Sequence, residues 1–158
     1  MPPTIRRAEA ADAARLGALG AALMRVHYAF DPQRFLAAGD HADAGYASFL
    51  RSQLERDDTL VLVAEDEGKI IGYLFAALEP MSWKELRGPA GFIHDVLIEE
   101  GARHSGAGST LVEAALAWMR ERGAARAILG TAARNTAAQR LFERLGFRPT
   151  MIEMTREL

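Results

Sequence analysis

The stretch from Gly91 to Ile98 constrains this chain more than any other. It is apolar at both alternating sets of positions, with Phe92 and Val96 on one face and Ile93 and Leu97 on the other. A strand of that kind has no face to give to water, so it belongs at the centre of a sheet covered by helices on both sides. Only His94 and Asp95 interrupt it. The segment Arg103-His104-Ser105-Gly106-Ala107-Gly108 then leads into a helical pattern running from Gly106 to Arg122 and stopped by Gly123.

The remaining elements arrange themselves around this strand. Thr4 to Arg7 reads as a short first strand, and Asp12 is placed to cap a helix reaching about Tyr28, with Leu16, Leu19, Leu23 and Val26 at helical spacing. A second amphipathic helix, Ala42 to Arg56, follows the Asp31-Pro32 break. Thr59 to Glu65 and Ile70 to Leu78 form an antiparallel hairpin around Asp66-Glu67-Gly68-Lys69. Pro80 to Gly91 has neither period and reads as a loop, the kind that often covers a site. A short strand, Ala127 to Thr131, precedes a helix from Thr136 to Leu145 that a Thr136/Gln139 capping box opens and Gly146 ends. Thr150 to Leu158 reads as a closing strand. The order predicts an α/β fold of the mixed α+β kind, with one domain over residues 1–158.

Composition removes several function classes. A formal net charge of -2 gives no global attraction to nucleic acid or to an anionic membrane, and Arg120, Arg122 and Arg126 read as a solvated face. The absence of cysteine excludes disulfides, thiolate metal sites and a cysteine acyl-enzyme, and agrees with a reducing cytoplasm. Glu9, Asp12 and Arg15 break what would be the apolar region of a signal peptide after Arg6 and Arg7, and no other run approaches transmembrane length. His41 and His104 have no partner at ligand spacing, so no metal is expected.

The glycine-containing turn before the Gly106 to Arg122 helix is where unpaired N–H groups and the positive end of a helix dipole hold a phosphate. It is neither the three-glycine dinucleotide pattern nor the P-loop. Asp95 to Gly108 followed by a helix, and then Asn135-Thr-Ala-Ala-Gln-Arg-Leu-Phe-Glu-Arg-Leu-Gly-Phe147, resembles the GNAT superfamily of N-acetyltransferases. The first motif looks like that family's Arg/Gln-x-x-Gly-x-Gly/Ala pyrophosphate loop, and the second like its Asn-x-x-Ala-x-x-x-Tyr-x-x-x-Gly-Phe segment.

The resemblance implies a GNAT-like acyl-CoA N-acyltransferase fold, with a mostly antiparallel central sheet flanked by helices, that transfers acetyl from acetyl-coenzyme A to a primary amine of a small molecule, amino acid, peptide or protein. It further implies that the segment Arg103, His104, Ser105, Gly106, Ala107, Gly108 and Ser109 binds the coenzyme pyrophosphate, that backbone at Val96, Leu97 and Ile98 pairs with the pantetheine arm, and that Asn135 touches the same arm. Asparagine there also suits a helix N-cap. Phe142 stands where many members carry a tyrosine that protonates the leaving thiolate; its spacing with Ala138, Leu141 and Leu145 also suits packing. An ordinary thiol of pKa near 8.5 leaves unprotonated at pH 7 at a cost of about 2 kcal/mol, a proton that water, Tyr28, Tyr46 or Tyr73 can supply instead. Neutralising a lysine-type amine is the larger demand, about 4.6 kcal/mol. His94 is the first candidate base and Asp95 the second, with alternation putting them on opposite faces unless a bulge intervenes; either also suits a structural role. A backbone N–H near Val96 or Leu97 is the candidate oxyanion donor. The alternatives are a non-catalytic acyl-coenzyme A sensor, which Phe142 motivates, and a transferase for a longer acyl donor. Similar enzymes often form homodimers, in which the closing strand would take part.

Overall fold

A computed structural model describes residues 2–158. Strand β1 (Thr4–Arg7) is followed by helices α1 (Ala13–Phe30) and α2 (Ala42–Gln53), then strands β2 (Thr59–Asp66), β3 (Lys69–Glu79) and β4 (Ala90–Ile98). Helix α3 (Ala107–Glu121), strand β5 (Ala127–Leu129) and helix α4 (Thr136–Arg144) complete the order. The strands lie in one sheet in sequence order β1-β2-β3-β4-β5, antiparallel except for the parallel pair β4-β5. The β2-β3 hairpin turns on Glu67 and Gly68, both at positive φ (48° and 78°), the mirror-image turn whose twist matches the flanking strands.

Each face of the sheet carries its own core. Leu16, Leu19 and Leu23 of α1 and Leu50 of α2 pack on Val61, Val63, Tyr73, Phe75 and Leu97. Leu111, Val112, Trp118 and Met119 of α3, with Phe142 of α4, pack on Leu60, Leu62, Leu74 and Ile93. β4 is thus the doubly covered strand its pattern predicted.

Its faces, however, do not alternate evenly. Phe75 pairs with Asp95 but Ala76 pairs with Ile93, so His94 is an extra residue in β4. This bulge resets the period: Ile93 and Val96 share the α3 face, whereas simple alternation had put Ile93 with Leu97 and Val96 with Phe92.

Four local expectations need correction. Residues 148–158 form no strand: β5 offers an edge of only three residues, and the tail leaves along Pro149 with Met151, Ile152, Met154 and Leu158 at 84–116% exposure. Its tether is the ion pair between Arg34 and Glu153. The Thr136/Gln139 capping box does not form; Asn135 is the cap, its Oδ1 accepting the Ala138 N–H at 3.1 Å, while Gln139 donates to the Ala132 and Ala133 carbonyls. Asp12 precedes α1 but spends its carboxylate on the Glu9 N–H and on Arg6. Finally, α1 runs on to Phe30, and α2 stops at Gln53, short of Arg56.

α1 and α2 approach closely because α1 presents glycines to α2. A Cβ on Gly17 would lie 2.3 Å from the Asp43 carbonyl oxygen, and one on Gly20 would lie 2.1 Å from Tyr46 Cδ1. Helix propensity favours Gly20→Ala by about 1 kcal/mol, but overpacking costs about 1–3 kcal/mol, so the variant is expected to be less stable than wild type. Urea denaturation checks the sign, and a higher midpoint for Gly20→Ala would refute this packing.

Candidate active site

β4 and β5 pair only at Gly91–Ala127, Phe92–Ile128 and Ile93–Leu129. Beyond Ile93, β4 continues to Ile98 with no neighbouring strand on that side among the described residues. The Glu99 N–H donates to the Ile71 carbonyl, so the two-residue alternation turns the Leu97 N–H inward to β3 and those of Val96 and Ile98 outward to the open edge. Leu97, grouped above with Val96 and Ile98, therefore faces β3 with its N–H and the Leu16 core with its side chain. A narrow cavity of about 60 Å³ opens at the split. Its walls include Leu23 and His27 of α1, Ile93 to Val96 of β4, Thr131, and Asn135, Ala138 and Phe142 at α4.

The expected phosphate loop sits at the far end of β4. Gly106 takes φ 84°, a conformation costly for any residue with a Cβ, and this turn aims the first amides of α3 outward. Ser105 Oγ accepts the Ala107 N–H at 3.3 Å, and the Thr110 N–H returns to the Gly106 carbonyl. The N–H groups of Gly106, Gly108 and Ser109 donate to no carbonyl among the described residues. Arg103, His104, Ser105 and Gly106 are exposed. Unpaired donors at the positive end of a helix suit a pyrophosphate, and the open edge of β4 suits an amide-bearing arm, so the residues present fit a coenzyme A molecule. At Gly108 a Cβ would meet Leu141 Cδ2 at 3.3 Å, so its smallness also serves the packing of α4 on α3.

The bulge brings His94 and Asp95 to the same two cavities instead of opposite faces. Asp95 Oδ2 accepts hydrogen bonds from Tyr73 (2.9 Å) and Tyr46 (3.2 Å). Burial pushes the Asp95 carboxyl above its ordinary value, against the pull of the two hydroxyls. Burial and the neighbouring carboxylate push both phenols up as well, so Tyr46 and Tyr73 keep their protons and act as donors. His94 Nε2 lies 2.8 Å from Glu79 Oε1, and the ring stacks on Phe92 (4.6 Å) and Phe75 (5.3 Å). Both residues border a second, larger cavity of about 620 Å³, whose other walls include Tyr46, Phe49, Arg56, Asp58 and Phe75.

Three further placements matter. Phe142 packs in the core at 9% exposure and also borders the narrow cavity. Tyr73 is fully buried and Tyr28 lines neither cavity. Trp83 is 82% exposed in the 80–90 loop, which does not cover the narrow cavity. Sequence reasoning missed Glu79 and the tyrosine anchors of Asp95, because cross-strand and helix-to-strand contacts have no fixed spacing in the chain.

Residues 21–147 match the model of the acetyltransferase (GNAT) family. The chain belongs to that family. An N-acetyltransferase of Bacillus subtilis, uncharacterized YhfO, is 30% identical over 65% of this chain and 68% of its own length. The mycothiol acetyltransferase of Thermobispora bispora is 31% identical over 70% of this chain, which spans only 39% of that longer protein. Among solved structures, the aminoglycoside acetyltransferase AAC(6')-Iy, complexed with a bisubstrate analogue joining coenzyme A to acetylneamine, superposes with a TM-score of 0.74 at 18% identity. That match covers 100% of this chain and 99% of AAC(6')-Iy, and at such identity it speaks for the fold. The protein is thus a GNAT acetyltransferase, built on the mixed sheet its sequence predicted.

The raised Asp95 gives this acetyltransferase a pH signature. The native state holds the Asp95 proton at pH values where the unfolded chain has lost it, so this group's contribution to stability is full below the ordinary value of 3.8 and falls as pH rises through the native value. Urea denaturation of wild type and Asp95→Asn across pH is expected to show the difference moving steadily in favour of the variant as pH rises above 3.8, then levelling. A difference independent of pH would contradict it.

Proposed function

We propose that this acetyltransferase moves acetyl from acetyl-coenzyme A to the primary amine of a small molecule, by direct attack in a ternary complex. The observation that carries the reading is the open edge of β4 at Val96 and Ile98, continuous with the unpaired amides of Gly106, Gly108 and Ser109. The pantetheine arm pairs with that edge beside Asn135, and the pyrophosphate rests on the start of α3 near Arg103, His104 and Ala107. The outward N–H of Val96 is the donor to the thioester oxygen. His94 is the base: Glu79 supports the imidazolium it becomes, whereas Asp95 is already engaged by two hydroxyls.

The acceptor enters from the larger cavity. Its carboxylates, Asp58, Glu79 and Asp95, outnumber its one cation, Arg56, which is itself paired with Asp58 at 2.9 Å. With Tyr46, Phe49 and Phe75 beside them, these groups favour a cationic amine with an apolar body over an amino acid bearing a free carboxylate. That AAC(6')-Iy binds a bisubstrate analogue joining coenzyme A to acetylneamine supports the ternary reading. The narrowness of the cavity at the strand split favours acetyl over longer acyl groups. For a homodimer, the supporting observation is the exposed apolar tail, 148–158; sedimentation of the full chain against one ending at Phe147 decides it, a dimer lost on truncation being the expected result.

Calorimetry with acetyl-coenzyme A is the test. Wild type is expected to bind with Kd on the order of micromolar, and Gly106→Asp, shown to be folded by circular dichroism, to bind at least about tenfold more weakly, a loss of about 1.4 kcal/mol. Equal binding by the two proteins would overturn the placement of the pyrophosphate. Binding without turnover across a panel of amines would select the sensor reading that Phe142 motivates.

A further inference from the structure

A departing thiolate is released faster if a proton reaches it, and the α4 position that would face the sulfur carries Phe142, which has none to give. The titratable side chains around the narrow cavity are His27, His94 and Asp95. Asp95 is engaged by Tyr46 and Tyr73, and His94 by Glu79.

His27 is held differently. Its Nδ1 lies 2.9 Å from the Leu23 carbonyl oxygen, an atom that only accepts, so Nδ1 carries a hydrogen and Nε2 is the nitrogen left to exchange a proton. Phe35 at 5.0 Å and Phe30 at 6.3 Å set their rings edgewise against the imidazole and fix its plane. The residue sits in the last turn of α1, beside the carbonyls that end the helix. It borders the same cavity as Phe142, Asn135 and Val96.

We propose that His27 is the general acid of this enzyme, giving its Nε2 proton to the coenzyme sulfur. The proposal rests on the acetyl transfer proposed above and supplies the proton that Phe142 cannot. As the amine nitrogen bonds to the carbonyl carbon, the carbon–sulfur bond breaks, its electron pair stays on sulfur, and the sulfur takes the His27 proton to leave as a thiol. The amine's surplus proton goes to His94. Water then reprotonates His27 and relieves His94, so transfer from the neutral amine is proton-neutral overall; an amine that arrives as its ammonium ion gives up one further proton to water before it attacks. An ordinary imidazolium, with pKa about 6.5, is a stronger acid than an ordinary thiol, about 8.5, so the transfer runs downhill.

The test compares wild type, His27→Ala and His27→Gln at saturating acetyl-coenzyme A and an amine that wild type accepts. Both variants are expected to lose about 10²-fold in kcat, with KM for both substrates and calorimetric affinity for coenzyme A near wild type. Added imidazole is expected to restore rate to His27→Ala, which a merely structural role would not allow. His27→Gln keeps a side-chain donor in this segment, so it guards against a fold defect in the alanine variant. Unchanged kcat, or a loss that imidazole does not restore, overturns the proposal. A wild type that binds acetyl-coenzyme A but acetylates no amine overturns the acetyl-transfer reading itself, a result separable from either.

Discussion

The parting of β5 from β4 after Ile93 is the constraint on which the rest of this structure depends. Backbone N–H and C=O groups left without partners inside a protein are costly, so a sheet that splits between its last two strands needs something to satisfy the exposed edge. Here the edge faces a cavity and leads, within ten residues, to the unpaired amides that open α3. A ligand that is amide-like along its length and anionic at one end satisfies both. The fold holds the split open by anchoring the two strands to different supports: β4 is pinned across its length by β3, while β5 is three residues long and passes at once into the turn before α4.

The bulge at His94 is the second device. By inserting one residue opposite the Phe75–Ala76 step, it brings an imidazole and a carboxyl to one pair of cavities without moving the apolar residues on either side out of their cores. The two groups are then set apart by their partners. Asp95 is tied to hydroxyls that keep their protons, which makes it an anchor between α2 and the sheet through Tyr46. His94 is paired with a carboxylate and rests against two rings, a setting in which gaining a proton is compensated.

Much of this was legible in the chain. The unbroken apolar run of β4 announced a strand buried on both faces, and the two motifs at Arg103–Gly108 and Asn135–Phe147 carried the family resemblance that the comparison over residues 21–147 bears out. Periodicity could not reveal the bulge, because register is a property of two strands and the cause lies in how Phe75 and Ala76 meet β4. Nor could it reveal that the 148–158 tail lacks a strand partner, because a strand forms only where an edge is available to pair with it. Glycine likewise signals a close approach without naming what makes it, and at Gly108 the packed neighbour is Leu141.

Amide NMR of the full chain titrated with acetyl-coenzyme A tests the central claim most directly, because it reads the split strand and the helix start in one experiment. The largest shifts are expected at the amides of Val96, Ile98, Gly106, Gly108 and Ser109, with Leu97, whose N–H faces β3, moving less than either neighbour. Shifts confined to the Tyr46–Arg56 side of the larger cavity, or equal shifts at Val96, Leu97 and Ile98, would contradict it.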